Sequence, residues 1–236
     1  MRVVITVFLF TLCWPLLSAA QTPELYYKDG GNKFAAKDYK GAIDAFTSAI
    51  GIEPGYTDAW YFRGLTKFML KDSTAGDDFT KVLELDPNKV KAWGFRGMAR
   101  FGHGEYASAI ADFSRAISLK PDYDEAWFYR GNSNFELKNY YAAVADFDKA
   151  VSLRADYTAA VYTRGLAKFM LQKFTEALAD MDKTIAIDPN YSIKAYYFRG
   201  MCRVHLNQVP QACADLEKAA NYGLADAIEM RKKYCK

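Results

Sequence analysis

Residues 127–131 read Trp127-Phe128-Tyr129-Arg130-Gly131, and close variants stand at Trp60-Tyr61-Phe62-Arg63-Gly64, Trp93-Gly94-Phe95-Arg96-Gly97, Val161-Tyr162-Thr163-Arg164-Gly165 and Tyr196-Tyr197-Phe198-Arg199-Gly200. Pro87 and Pro121 are 34 residues apart, Ala155 and Pro189 continue at the same step, and Pro54 precedes Pro87 by 33. Self-similarity at such a period marks a repeat protein, one small unit stacked on copies of itself. After each first string comes a second, with a small residue four places before a large apolar one: Ala42 and Phe46, Ala75 and Phe79, Ala109 and Phe113, Ala143 and Phe147, Ala177 and Met181, Ala212 and Leu216. Each unit therefore reads as a pair of antiparallel helices. Gly and Ala remove side chains where the two axes cross, and the aromatic rings fill the space around the crossing. Proline after the second helix stops it and turns the chain into the next unit.

Outward from this pattern, composition sets the class. Of 236 residues, 51% are hydrophobic and 16% aromatic, with 15 Gly and 7 Pro, which excludes a disordered or low-complexity chain. The 31 basic and 28 acidic residues are scattered along the whole length and leave a net charge of +3, without the concentrated basic footprint of a nucleic-acid binder.

Residues 1–20, MRVVITVFLFTLCWPLLSAA, carry one Arg, an apolar run from Val3 to Leu17 and the small residues Ser18, Ala19 and Ala20. This is the pattern of a secretory signal peptide, with a mature start expected at Gln21. Pro15 and an apolar core shorter than the roughly 20 residues of a spanning helix argue against a retained anchor. Leu12 before Cys13 does not suit lipidation at that cysteine.

The paired helices at this spacing resemble the tetratricopeptide repeat family from about Glu24 to Gly223. The resemblance implies an all-α, right-handed superhelical solenoid of six units, at 24–56, 57–89, 90–123, 124–157, 158–191 and 192–223, in one domain spanning 21–236. An amphipathic segment, 224–234, follows Gly223 and is expected to cap the last hairpin, whose apolar face otherwise meets water. Departures from the family pattern are Arg before the Gly in five units, Val161 for an aromatic residue and Ala155 for proline. The first unit is ambiguous, because Gly30 and Gly31 both suit the crossing. Its start is marked by Thr22 as cap and Pro23 at the first helical position.

Three residue sets carry functional expectations. Arg63, Arg96, Arg130, Arg164 and Arg199 recur once per unit, as do Asp78, Asp112, Asp146, Asp180 and Asp215 beside the large apolar residue. They are expected to form a structural ladder of charge pairs, since an unpaired charge beside the core is penalised; the alternative is an electropositive row for anions. By family resemblance, the first helices line the concave surface. That places Tyr61, Leu65, Phe68, Met98, Phe101, Phe128, Asn132, Phe135, Tyr162, Leu166, Phe169, Tyr197 and Met201 on a partner-binding stripe, with Gly94 and Val204 at the remaining places. Rigid rings and adaptable Met side chains suit peptide recognition; the alternative is that much of the stripe packs helix against helix. Some family members hold a partner's terminal carboxylate with Lys, Asn and Arg residues. Lys28, Asn32 and Lys91 fall on three of those places only if Gly31 is the crossing glycine, and Phe62 and Phe95 occupy two others, so this match is set aside.

Cys213 and Cys235 lie on the last hairpin's second helix and at the end of the capping helix, and antiparallel packing is expected to bond them, with Cys202 a small core residue. Catalysis finds little support. His103 and His205 are isolated, the carboxylates do not converge, and no phosphate loop is present, so no catalytic, metal or cofactor site is expected. Asn190-Tyr191-Ser192 is a glycosylation sequon. The chain is thus expected to be an exported, non-enzymatic scaffold or assembly factor in the periplasm, cell envelope or medium. Its partner is a protein or peptide, with no stable membrane span after signal removal. The alternative is a self-associating homo-oligomer that pairs through the apolar stripe or the solenoid ends.

Overall fold

The computed structural model describes residues 22–188 and 191–235, so the signal-peptide reading, Pro189 and Asn190 lie outside the described residues. Thirteen α-helices and no strand are present among the described residues: α1 (Pro23–Ala35), α2 (Tyr39–Ile52), α3 (Thr57–Met69), α4 (Ala75–Leu85), α5 (Val90–Gly102), α6 (Tyr106–Leu119), α7 (Asp124–Glu136), α8 (Tyr140–Leu153), α9 (Thr158–Met170), α10 (Phe174–Ile187), α11 (Ser192–His205), α12 (Val209–Asn221) and α13 (Ala225–Tyr234). Each odd-numbered helix from α1 to α11 pairs antiparallel with the next. Every helix packs on its neighbours in sequence, and successive first helices also touch. The core is a row of local clusters rather than one centre, as expected of a solenoid.

The crossing glycines are required by the large residue of the partner helix. A Cβ at Gly131 would lie 2.7 Å from the Phe147 ring, one at Gly97 2.8 Å from Phe113, and one at Gly165 2.5 Å from the Met181 methyl. Phe46, Phe79, Phe113, Phe147, Met181 and Leu216 are all fully buried. The same test resolves the first unit. A Cβ on Gly30 would meet Phe46 at 2.6 Å, whereas Gly31 has nothing within 4 Å. Gly30 is therefore the crossing residue, and Lys28 and Asn32 fall one place away from the carboxylate-holding register. Thr22 caps α1, accepting from the Leu25 amide at 3.3 Å, with Pro23 opening the helix.

Each first helix ends on a left-handed residue: Lys37, Lys71, Gly104, Lys138, Gln172 and Asn207. The next amide reaches back five residues to close the helix, as in Asp38 N to Lys33 O at 2.9 Å and Asn139 N to Asn134 O at 2.8 Å. This is the Schellman end, which usually carries glycine. Here one of the six is glycine, so the turns give little glycine signal to a sequence reader.

The indoles fix the hairpins to the preceding turn. Trp60, Trp93 and Trp127 donate to the carbonyls of Pro54, Pro87 and Pro121, each at 2.9 Å. In the fifth unit Val161 stands in the indole's place, so this bond has no donor, and Ala155 stands where the other corners have proline. Arg154 pairs with Asp124 at 2.8 Å and lies 3.6 Å over the Tyr157 ring, as Lys120 lies 6.0 Å from Tyr123 one unit earlier.

At the C-terminus, α13 buries only Ala227. It is tied down by a Cys213–Cys235 disulfide, with Cα atoms 5.6 Å apart, while Cys202 is a free, buried thiol. Closing a loop of this length contributes about 3 kcal/mol in the chain-entropy model, which suits a helix with so little apolar burial of its own.

Two adjacent substitutions test the register. Gly30→Ala is expected to lower stability by about 1–3 kcal/mol through overpacking against Phe46. Gly31→Ala is expected to raise it by up to about 1 kcal/mol through helix propensity. Urea unfolding followed by circular dichroism checks both, and the reverse order would assign the crossing to Gly31.

Candidate functional site: the charge ladder and the first-helix stripe

The Asp residues of the ladder are set by their position. Each precedes the large residue that fills the hairpin crossing, so its carboxylate is carried into the interface. Asp78, Asp112, Asp146, Asp180 and Asp215 are only 1–4% exposed, so water does not solvate them. A buried carboxylate is tolerated when paired and fully hydrogen-bonded. The arginine of the same unit meets it with two nitrogens: Arg63 reaches Asp78 at 2.9 and 2.7 Å, Arg96 reaches Asp112 at 3.0 and 2.8 Å, and Arg199 reaches Asp215 at 2.9 and 2.6 Å. Arg130 holds Asp146 and Arg164 holds Asp180 in the same way. Planar guanidinium matches planar carboxylate, which lysine does not reproduce.

Two further series complete the ladder. Four residues after each arginine stands a second donor to the same carboxylate: Lys67 at 3.1 Å, Arg100 at 2.7 Å, Asn134 at 3.0 Å, Lys168 at 2.9 Å and Arg203 at 2.6 Å. The remaining nitrogen of each arginine reaches back to the preceding unit. It bonds Thr47 at 3.1 Å, Thr80 at 3.3 Å, Ser114 at 3.1 Å, Asp148 at 2.9 Å and Asp182 at 2.7 Å, each immediately after a large crossing residue. Three of these arginines also lie 4.6–4.7 Å over the tryptophans of their own units. Every guanidinium is thus engaged within the protein. The recurrence of Lys, Arg or Asn four places on is visible in the sequence, but the mixture of types disguises it. The first unit has Asp29 and Ala45 in these places, and Asp29 pairs instead with Lys33 at 2.7 Å along its own helix.

The first-helix stripe divides in two. Tyr61, Phe128 and Tyr162 are 7–9% exposed, which places most of each ring in the core. Their cover comes from the residue just before the next first helix: Tyr157 lies 4.8 Å from Phe128 and Tyr191 5.5 Å from Tyr162. Tyr27 and Tyr56 make the same rung at 5.1 Å. At the second unit the cover is Lys89, 5.6 Å over Tyr61 and paired with Asp58 at 2.9 Å. In the third unit Gly94 replaces the ring, because a Cβ there would meet the Tyr123 hydroxyl at 2.8 Å. For these three the packing alternative holds: a side chain in the plane between two units is covered by the next one. The half-buried members are Leu65, Phe68, Met98, Phe101, Asn132, Phe135, Leu166, Phe169, Tyr197 and Met201.

Burial sets the protonation of these rings. Loss of water raises the Tyr61 and Tyr123 phenols to about 12 and pushes Tyr157 and Tyr162 upward too. The buried Cys202 thiol is raised to about 12 for the same reason. Among the described residues, no cluster of His, Cys, Asp and Glu is arranged to hold a metal, and no helix is long and apolar enough to cross a membrane.

The repeat geometry places the chain among tetratricopeptide repeat folds. The family model described as tetratricopeptide repeat matches residues 73–124 and 96–158. No curated protein matches the chain. Among solved structures, Pseudomonas aeruginosa PilF superposes with a TM-score of 0.74 at 13% identity, covering 89% of this chain and 97% of that one. PilW, described as a widely conserved type IV pilus biogenesis factor, gives 0.71 at 16%, covering 90% and 99%. YrrB, described as a tetratricopeptide protein with an unusual peptide-binding site, gives 0.71 at 21%, covering 80% and 99%. At these identities the likeness establishes the fold.

Asp112→Ala is expected to cost about 3–5 kcal/mol, because it strands Arg96 and Arg100. Asp148→Ala, whose carboxylate is 55% exposed, is expected to cost less than about 1 kcal/mol. Urea midpoints decide between them, and equal losses would mean that burial does not set the ladder's strength. The raised phenols stabilise the fold fully below their ordinary value near 10, and that contribution is lost as pH rises towards about 12. The Tyr61→Phe, Tyr123→Phe double variant should therefore lose less stability between pH 9 and pH 11 than the wild type.

Proposed function

We propose that the protein is a non-enzymatic scaffold or assembly factor that works outside the cytoplasm and binds a peptide or protein segment along its first-helix stripe. The observation that carries this reading is the run of half-buried apolar side chains on successive first helices, from Leu65 and Phe68 to Phe169 and Met201. Apolar groups at one spacing on stacked helices form a continuous strip, and such a strip suits an extended or helical segment whose anchors repeat. Met98 and Met201 supply adaptable surface, while Phe101, Phe135 and Phe169 are held by neighbouring rings and lose little freedom on binding.

Two features support export. Residues 1–20 have the signal-peptide pattern. The Cys213–Cys235 disulfide persists only in an oxidising compartment. The descriptions of PilW as a type IV pilus biogenesis factor, and of YrrB as having an unusual peptide-binding site, fit this reading without naming a partner.

A photo-crosslinking residue at position 135 tests it in living cells, with position 141 as control, since Tyr141 on α8 is 72% exposed and lies off the stripe. Crosslinks to another protein from 135 and none from 141 are expected. Crosslinks from 135 only to a second copy of the chain would replace the reading with self-association. Equal yields at both positions would remove the stripe as the binding surface.

A further inference from the structure

The repeat contains a template for one of its own vacancies. In four units, the phenylalanine near the end of the first helix is met edge-on by a ring at the start of the second. The pairs are Phe34 with Tyr39 at 5.7 Å, Phe101 with Tyr106 at 5.4 Å, Phe135 with Tyr140 at 5.3 Å and Phe169 with Phe174 at 5.5 Å. The sixth unit has Val204 and Val209 there, aliphatic on both sides. The second unit keeps the phenylalanine, Phe68, but has no ring to meet it. Its turn is one residue short, with Ser73 and Thr74 where the others have three residues opening on the ring, so α4 starts late and has 11 residues against 14 in α6.

A second departure falls on the same spot. In the sixth unit His205 comes across to stack on Phe174 of the fifth at 4.2 Å. The residue of the third unit in that register is Gly102, and nothing lies within 4 Å of where its Cβ would be. Both the ring and its cover are missing, which leaves an open cavity of about 500 Å³ with Phe68, Met69, Met98 and Gly102 among its lining residues.

Lys71, Asp72 and His103 stand at its rim. Asp72 already accepts from the amide and hydroxyl of Thr74, both at 2.8 Å. Lys71 joins no ion pair among the described residues, so its ammonium is open to a ligand, while Asp72 beside it keeps its own negative charge. We infer that this cavity is a slot for an aromatic side chain of the bound segment, set beside a carboxylate that Lys71 receives. The inference rests on the stripe as the binding surface, of which Phe68 and Met98 are members, and specifies what one point of it accepts. The segment's ring takes, in trans, the place that Tyr106 or Phe174 takes in its own unit. Two methionine sulfurs at the walls favour a ring over an aliphatic group.

Methionine methyl NMR with 3-phenylpropionate as probe tests the slot apart from the longer groove. Saturable shifts are expected at Met69 and Met98 and none at Met170 or Met181, with propionate alone producing no shift. Lys71→Ala should weaken binding about two- to five-fold, the size of an exposed charge pair. Two variants fill the slot from opposite sides: Gly102→Met, and a graft replacing Asp72-Ser73-Thr74 with Glu-Tyr-Ala-Ser, the sequence of residues 105–108. Either should weaken binding at least ten-fold while the protein stays folded, with the graft melting higher than the wild type. Shifts that persist in both filled variants, or that spread equally over all methionines, would overturn the inference. Phe169→Ala, elsewhere on the stripe, should leave the probe's affinity unchanged. If it abolishes crosslinking from position 135 in cells while the filled variants bind the probe normally, the groove stands and the slot falls.

Discussion

The solenoid depends on carboxylates placed where water does not reach them. Each sits on a second helix at the crossing, held there by the neighbouring Phe, Met or Leu that fills the hairpin. Once the carboxylate is buried, the arginine of the first helix is obligatory, because an unpaired charge at that depth would cost several kcal/mol. The same arginine bonds a side chain of the preceding unit. One residue therefore closes its own hairpin and joins it to the last. In a linear array, stability is a sum of unit and interface terms, and these arginines enter both. The first unit, with Asp29 and Ala45 in the two places, has neither the arginine nor the buried aspartate.

Because each unit touches only its neighbours, a departure in one is absorbed locally. Val161 removes an indole, and the fully buried valine packs into the cluster around Phe128 and Phe147. The disulfide acts in the same local way at the open end, fixing a helix that buries one residue. The shortened second unit is the exception. Its missing ring coincides with Gly102, so no side chain among the described residues closes the gap. A local architecture permits such a gap, since the hairpins on either side keep their own cores.

Much of the fold was legible because a repeat presents the same evidence several times. The Gly and Ala positions, the large crossing residues and the Arg and Asp series each recur at fixed spacing, and a helix hairpin is the arrangement that uses them all. The candidate site was less legible. Tyr61, Phe128 and Tyr162 share a helical face with the open residues, and periodicity along one helix does not reveal what the next unit lays over them. Lys67, Arg100, Asn134, Lys168 and Arg203 perform one task with three chemistries, so residue identity hid the series.

What the sequence alone determined is the period and the helix pair it encodes, since these follow from side-chain size at recurring places. The tertiary structure decided questions of register. Gly30 and Gly31 are chemically identical neighbours, and only the position of the Phe46 ring selects between them. The 33-residue step from Pro54 to Pro87 could be counted from the chain. Where the missing residue was taken from could not, because helix and turn compete for the same few positions. Packing of Asp78 and Phe79 against Gly64 fixes the rest of α4, and the loss falls on the turn beside Phe68.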